Sequence, residues 1–135
     1  MASKVVLANG CFDPFHYGHL LHLQAAREFG DFLVVALTED NSVNKGPGRP
    51  VFNHNQRAAV LRELRCVDRV IIVGSSIGAL HLVNPHVFVK GNDYKCRIKD
   101  EDYIFCNENS IEIKFTNTEK FSSTQLLRHY ESGSR

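Results

Sequence analysis

Tryptophan is absent from this sequence of 135 residues, methionine occurs once, and neither sign of charge dominates. Lys plus Arg number 16 against 15 Asp plus Glu, a formal charge of +1. No global field therefore draws in nucleic acid or an anionic membrane, and any anion binding has to be built locally. No apolar run approaches the roughly 18 residues of a membrane span. The N-terminal "MASKVVLANG" lacks the long apolar stretch of a secretory signal. The four cysteines, Cys11, Cys66, Cys96 and Cys106, form no CxxC pair. These absences point to a reduced, cytoplasmic protein with no nucleic-acid or membrane partner. Repeats are missing too, and the polar end "ESGSR" is expected to fray. A chain of this length fits one domain, expected over residues 1–131 with a tail over 132–135, and buries about two-thirds of its unfolded surface.

What is present alternates. "KVVLAN", "DFLVVALT", "VDRVIIVG", "HVFVK" and "SIEIKFT" are rich in Val, Ile and Phe and too short for helices, so they read as five strands. Between the first two, "HLLHLQAAREF" puts Leu20, Leu23 and Ala26 on one side, with Leu21 and Ala25 beside them and Gly30 as the stop. A second helix starts at Asn53, with Gln56 at the capping-box position, and runs through "QRAAVLRELR". Weaker helical patterns cover "SIGALHLV", "IKDEDYIFCNEN" and "SSTQLLRHYE". Strand then helix, five times over, predicts an α/β fold: a doubly wound parallel sheet with helices on both faces.

Ligands bind such sheets beyond the carboxyl ends of the strands. Four unusual segments converge there: "NGCFDPFHYGH", "TEDNSVNKGPGRP", "KGNDY" and "TNTEKFSST", whereas "GSS" after the third strand is plain. In the first, Gly10 is expected to turn the chain off the strand and Pro14 to stiffen it. Gly18 opens the helix beside His19, where free N–H groups and the helix dipole favour an anion. His16 and His19 flank that position. Three readings stand for them: zinc ligands extended by His22, a pair hydrogen-bonded to loop backbone, or phosphate-handling side chains. Zinc wants four ligands and no Cys or carboxylate follows at ligand spacing, so no metal site is assigned, and His22 reads as a helix-surface residue. Lys45 lies in a glycine- and proline-rich segment able to close over a ligand, and a lysine suits phosphate. Ser122, Ser123 and Thr124 at a helix start act either as caps or as a second phosphate cradle.

"NGCFDPFHYGH" resembles the HxGH signature of the cytidylyltransferase-type nucleotidyltransferases, and "FSST" is similar to their second signature. "FGD", "GRPVF", "RCVDRV" and "VFVKGNDY" extend the likeness over most of the chain. The set resembles the small branch that includes glycerol-3-phosphate cytidylyltransferase and the adenylyltransferase domain of heptose-phosphate enzymes, with a Rossmann-like fold. The resemblance implies nucleotidyl transfer from a nucleoside triphosphate to a phosphorylated sugar or polyol, with pyrophosphate released and no covalent intermediate, AMP favoured and CMP the alternative. It implies that His16 and His19 stabilise the transition state and that Lys45 neutralises the α-phosphate and acceptor. Ser122, Ser123 and Thr124 would take the β and γ phosphates. Asn9, Gly10, Cys11, Phe12 and Gly18 would line the nucleotide, with Lys90, Gly91, Asn92 and Asp93 toward base and ribose. Asp13, Arg57 and Arg65 would contact substrate, phosphate or the other subunit of a homodimer, and Mg2+ would sit mainly on the phosphates.

The chain departs from the branch in two places. The loop before "FSST" lacks the usual arginine and offers Asn117 and Lys120, and "KGNDY" stands for "KGGDY", Lys90 leaning toward the adenylyl side. A nucleotide-binding module that performs no transfer is the competing class.

Overall fold

The computed structural model describes residues 3–44, 46–91 and 98–117. Its elements are β1 (Val5–Gly10), α1 (Tyr17–Arg27), β2 (Phe32–Thr38), a 3₁₀ turn (Asp40–Ser42), α2 (His54–Arg62), β3 (Arg69–Val73), α3 (Ser76–Val83), β4 (Val87–Gly91), α4 (Asp100–Glu108) and β5 (Glu112–Thr116). All four strand pairings are parallel, in the order β3-β2-β1-β4-β5. The sheet is thus the doubly wound one expected, its strands placed within a residue or two of the apolar runs. The helix expected over 122–131 and the tail lie outside the described residues.

The layering follows from which residues point to each face. Val6, Ala8, Val35, Leu37, Val87 and Val89 pack with Leu23 and Ala26 of α1 and Ala58 and Leu61 of α2. Leu7, Val34, Ala36 and Phe88 pack with Ala79 and Leu80 of α3 and Cys106 of α4. Central strands buried on both faces read as continuous apolar runs, which is why "LVVAL" shows no alternation. Among the described residues, no helix is long and apolar enough to cross a membrane.

Gly30 is required for clearance against backbone. A Cβ on Gly30 would lie 2.5 Å from the Lys4 carbonyl oxygen. Gly30 therefore lets the chain enter β2 against β1, two residues after the cap of α1 at Glu28. The helix caps follow local chemistry: the Asn53 side chain accepts from Gln56 N–H at 2.8 Å and Gln56 Oε1 accepts from Asn53 N–H at 3.2 Å, the expected capping box.

The chain passes from β1 to β2 over one face and from β3 back to β4 over the other, so the strand order reverses between β1 and β4. In open sheets of this kind that reversal, at the carboxyl ends of the strands, is where a ligand crevice forms.

Candidate functional site

The first wall of this crevice is the loop from β1 to α1. Gly10 is still in the strand, and a Cβ there would stand 2.9 Å from two ring atoms of Phe12. Its role is therefore to make room for that ring. The turn itself falls on Phe12, which has φ 51° and is buried, a left-handed conformation that costs a non-glycine residue about 1 kcal/mol and is held here by packing.

His16 then caps α1. Its Nδ1 accepts from Gly18 N–H at 3.1 Å, and His19 Nδ1 accepts from His16 N–H at 3.2 Å. Histidines thus build the same reciprocal box that Asn53 and Gln56 build on α2. The bonds set the tautomer. A backbone N–H only donates, so both Nδ1 atoms are lone-pair acceptors and the ring proton of each neutral imidazole is on Nε2. A second proton on either Nδ1 would oppose an N–H and break the box. The rings stack at 3.8 Å between centroids, and His19 and Phe12 meet edge to face at 5.1 Å. The pair is thus bonded to loop backbone, as one of the sequence readings has it, with the two rings stacked and their ring protons on Nε2.

Behind the loop lies a rigid frame. The Asp13 side chain is fully buried and accepts from Arg49 Nε at 2.9 Å, Val51 N–H at 2.7 Å and Phe52 N–H at 3.1 Å; Arg49 Nη2 also donates to the Asp13 carbonyl. Burial alone would raise this carboxyl, but the bonds from Arg49, Val51 and Phe52 overcome it and hold Asp13 below the usual aspartate range. Arg57 is just as occupied. It donates to Phe52 O at 2.8 Å, Cys11 O at 2.8 Å, Thr38 O at 2.9 Å and Asp40 Oδ1 at 2.7 Å. One guanidinium joins the ends of β1 and β2 to the lead-in of α2. Asp13 and Arg57, expected at substrate or phosphate, have their polar groups committed to this frame. Arg65 is exposed in the turn after α2, three residues before Asp68, whose N–H donates to Leu33 O at the amino end of β2. The structure does not bring Arg65 to the crevice.

Across the reversal point, Lys90 Nζ donates to Asn9 Oδ1 at 3.1 Å, bridging β4 and β1. Burial lowers the Lys90 ammonium below its usual range, against the opposing pull of the Asp102 charge. Asp102, in the first turn of α4, is buried; its Oδ2 accepts from Ser76 Oγ at 2.6 Å, while Oδ1 has no partner among the described residues. Burial, and then the Asp102 charge, pushes the Cys106 thiol up to about 11. Gly91 ends β4 beside Thr116.

Asn9, Gly10, Cys11, Phe12, Gly18, His16, His19, Lys90 and Gly91 are therefore gathered on one edge. Lys45, Asn92, Asp93, Ser122, Ser123 and Thr124 lie outside the described residues. The sequence reading missed Arg49, the Ser76–Asp102 pair inside "GSS" and the charged segment, and the true setting of His22. That residue is no bare surface histidine: it is half-buried, with Nδ1 hydrogen-bonded to Thr116 Oγ1 at 2.7 Å. Among the described residues, no three His, Cys, Asp or Glu side chains gather as a metal site.

Comparison with known proteins agrees with this geometry. A chain described as a lipopolysaccharide core biosynthesis protein, from Thermoplasma volcanium, superposes with a TM-score of 0.72 at 28% identity, over 90% of this chain and 100% of its own. The "Bifunctional protein HldE" of Aliarcobacter butzleri is 42% identical over 99 residues, which are 70% of this chain and 21% of that protein. Its counterpart from Geotalea uraniireducens is 37% identical over 137 residues, 98% of this chain and 28% of that protein. The chain thus spans between a fifth and a little over a quarter of the curated relatives it matches. The family described as cytidylyltransferase-like matches residues 7–129, which run from β1 past both signatures, and the chain accordingly belongs to that family of nucleotidyltransferase enzymes.

Proposed function

We propose that the chain transfers an adenylyl group from ATP to the phosphate of a sugar phosphate of the heptose type, releasing pyrophosphate. The observation that carries this reading is the histidine capping box. It gives two stacked imidazoles at the N-terminus of α1, each anchored through Nδ1 and carrying its proton on Nε2, on the sheet edge where this fold family binds its substrates. Donors fixed in advance are what a reaction with developing phosphate charge needs. An oxygen of the acceptor phosphate attacks the α-phosphorus, the bond to the β-phosphate oxygen breaks in line, and pyrophosphate carries away the electron pair. His16 and His19 donate to phosphate oxygens as charge builds, while the dipole of α1 adds to the same field. Lys90, with Asn9, closes the other side of the crevice. Lys45, Ser122, Ser123 and Thr124 are assigned to phosphate, and Asn92 and Asp93 to base and ribose, on the resemblance of their motifs.

The AMP assignment is supported by Lys90 in "VFVKGNDY" and by the relatives named above. A sugar acceptor is supported by the neighbour's place in lipopolysaccharide core biosynthesis. Magnesium finds no protein cage in the described donor set: the Asp13 oxygens are taken by Arg49, Val51 and Phe52, and Asp40 by Arg57. The ion is therefore assigned to the triphosphate itself, where it would neutralise phosphate charge. A cytoplasmic homodimer is part of the proposal. Val51, Phe52, Val60 and Ile72 are large apolar side chains left exposed toward the β3 edge, and sedimentation of a monomer at micromolar concentration would remove that part.

The test is a matrix of four nucleoside triphosphates against heptose, other sugar and glycerol phosphates, read by pyrophosphate release. ATP with a sugar phosphate is the expected pair. Release only from CTP with glycerol phosphate would move the assignment to the cytidylyl side. Tight triphosphate binding with no release across the panel would make the protein a binding module.

A further inference from the structure

We propose that Asp102 is a positioning residue for nucleotide binding, its buried carboxylate serving as the countercharge for the Lys90 ammonium beside β1; the inference rests on the transferase reading above. The starting observation is an orphaned oxygen. Asp102 is 1% exposed and its Oδ2 accepts from Ser76 Oγ at 2.6 Å, yet Oδ1 has no hydrogen-bond partner among the described residues. A buried carboxylate left this way is costly, so something besides hydrogen bonds has to compensate its charge.

The alternation of the sheet identifies the compensating group. Along β4, Val87 and Val89 pack with α1 and α2 while Phe88 packs with α3 and α4, so Lys90 shares the face of Phe88. Lys90 Nζ accordingly stands 5.3 Å from the centre of the Phe88 ring. Leu7 of β1 lies on that face as well, and Asn9, two residues on, accepts from Lys90 at 3.1 Å. The ammonium is therefore on the α3 and α4 side of the sheet, at the carboxyl edge where both helices begin. Ser76 is the first residue of α3 and Asp102 the third of α4, and their bond ties the two helix starts together at that same end. Three positive ends meet there, the two helix amino termini and the ammonium, and Asp102 is the buried anion among them.

Burial acts on Lys90 in the direction of losing its charge, the Asp102 charge opposes that loss, and Lys99 adds to it. The other elements on this face supply no rival anion among the described residues. β1 brings Asn9, β5 brings Ile113 and Phe115, and α3 brings Ser76, none of which titrates. On α4, Asp100 and Glu101 are exposed to water and Cys106 remains a protonated thiol. A neutral amine could still donate to Asn9 Oδ1. Only the ammonium adds attraction for a polyanionic nucleotide, and that charge is what Asp102 secures.

The experiment measures ATP affinity by calorimetry between about pH 7.5 and about pH 9.5, below the ordinary lysine range. The chains are wild type, Asp102→Asn, Lys90→Met, the double variant and Ser76→Ala. Asp102→Asn keeps an oxygen for Ser76 and removes the charge. A lysine is charged below its pKa, so without the carboxylate Lys90 loses its proton at lower pH than in wild type. The Kd of Asp102→Asn should therefore climb above the wild-type value as pH rises, to about tenfold, the scale of one bond to a charged group. In the Lys90→Met background the same change should alter Kd by less than about twofold, because the charge it supports is gone. Ser76→Ala should lower the melting temperature and keep the wild-type pH profile. Unchanged affinity at every pH in folded Asp102→Asn would overturn the proposal, as would a loss that is independent of pH or equally large in the Lys90→Met background. The same pH-dependent loss in Ser76→Ala would assign the effect to the α3–α4 junction and overturn it too. Should Asp102→Asn not fold, Asp102→Ser, smaller and equally uncharged, is read by the same criteria. ATP binding is measured without acceptor, so a wild-type chain that binds ATP but releases no pyrophosphate with any acceptor would sink the transferase reading, and the cycle would still judge Asp102.

Discussion

Removing the histidine box and rebuilding it from other residues separates what the box does for the helix from what it does for the reaction. His16→Ala deletes the acceptor for Gly18 N–H, a loss worth about 1 kcal/mol and roughly 3–4 °C in melting temperature for a chain of this size. The same change removes one Nε2–H donor, for which about 10²- to 10³-fold in turnover is expected, equivalent to about 2.7–4 kcal/mol of barrier. The two effects differ enough to be read apart. The rebuilt version is His16→Asn with His19→Gln, which gives α1 the residue pair that already caps α2. Its amide groups can restore both backbone bonds but bring no imidazole. Stability should return, short of about 0.5–1.5 kcal/mol for the ring of His19 against Phe12 and Phe15. Turnover should stay as low as in the alanine variants. Denaturant unfolding and a pyrophosphate-release assay on the same preparations make the comparison. Near-wild-type turnover in the Asn/Gln chain would refute the donor role, and a chain much less stable than His16→Ala would refute the capping account.

Two further predictions concern groups outside the box. Asp13→Asn places an N–H donor among Arg49, Val51 and Phe52 and should cost about 2–4 kcal/mol, with charge-assisted bonds lost. Because the Asp13 carboxyl is held low in the fold, wild type has its full contribution above about 3.8, the ordinary aspartate value, and loses it as pH falls through the folded value. The variant should lack that component of acid unfolding; identical acid-unfolding profiles would count against the frame. For Cys106, a thiol raised to about 11 is almost wholly protonated at pH 8, so Cys106→Ala should leave the native rate of thiol alkylation unchanged. A slower rate in that variant would show that the thiol is reactive.

The sheet was legible in the sequence because parallel strands buried on both faces need unbroken apolar runs, and five of them are present. Asn53 with Gln56, and "SIGALHLV" over Ser76–Val83, were legible for local reasons of capping and length. The start of α1 was placed late because histidine is an uncommon N-cap, and its ability to accept through Nδ1 does not show in a preference scale. Arg57 illustrates another limit. A basic residue near a phosphate site invites a ligand role, yet Arg57, Ala58 and Leu61 share the buried face of α2. That inward position was the available signal that its charge serves the frame. Nothing comparable marks Asp102, His22 or Arg49, whose partners lie 26, 94 and 36 residues away. Contacts of that range are products of the topology.

The bridge from Lys90 to Asn9 spans 81 residues of chain, and it has a consequence for how the protein assembles. β1, β2 and β3 are consecutive and can pair as they emerge, each new strand beside the last. The crevice has only one wall at that stage. Its second wall arrives with β4, which must return past two strands already in place, and long-range pairings of this type form slowly. If the first three strands pair first, the histidine box forms before there is a second wall for it to face. In the native state, detaching β4 would part Lys90 from Asn9 and leave this edge of the sheet with one wall. Protection of the Val87–Gly91 amides against hydrogen exchange is thus a direct measure of how often the site is open.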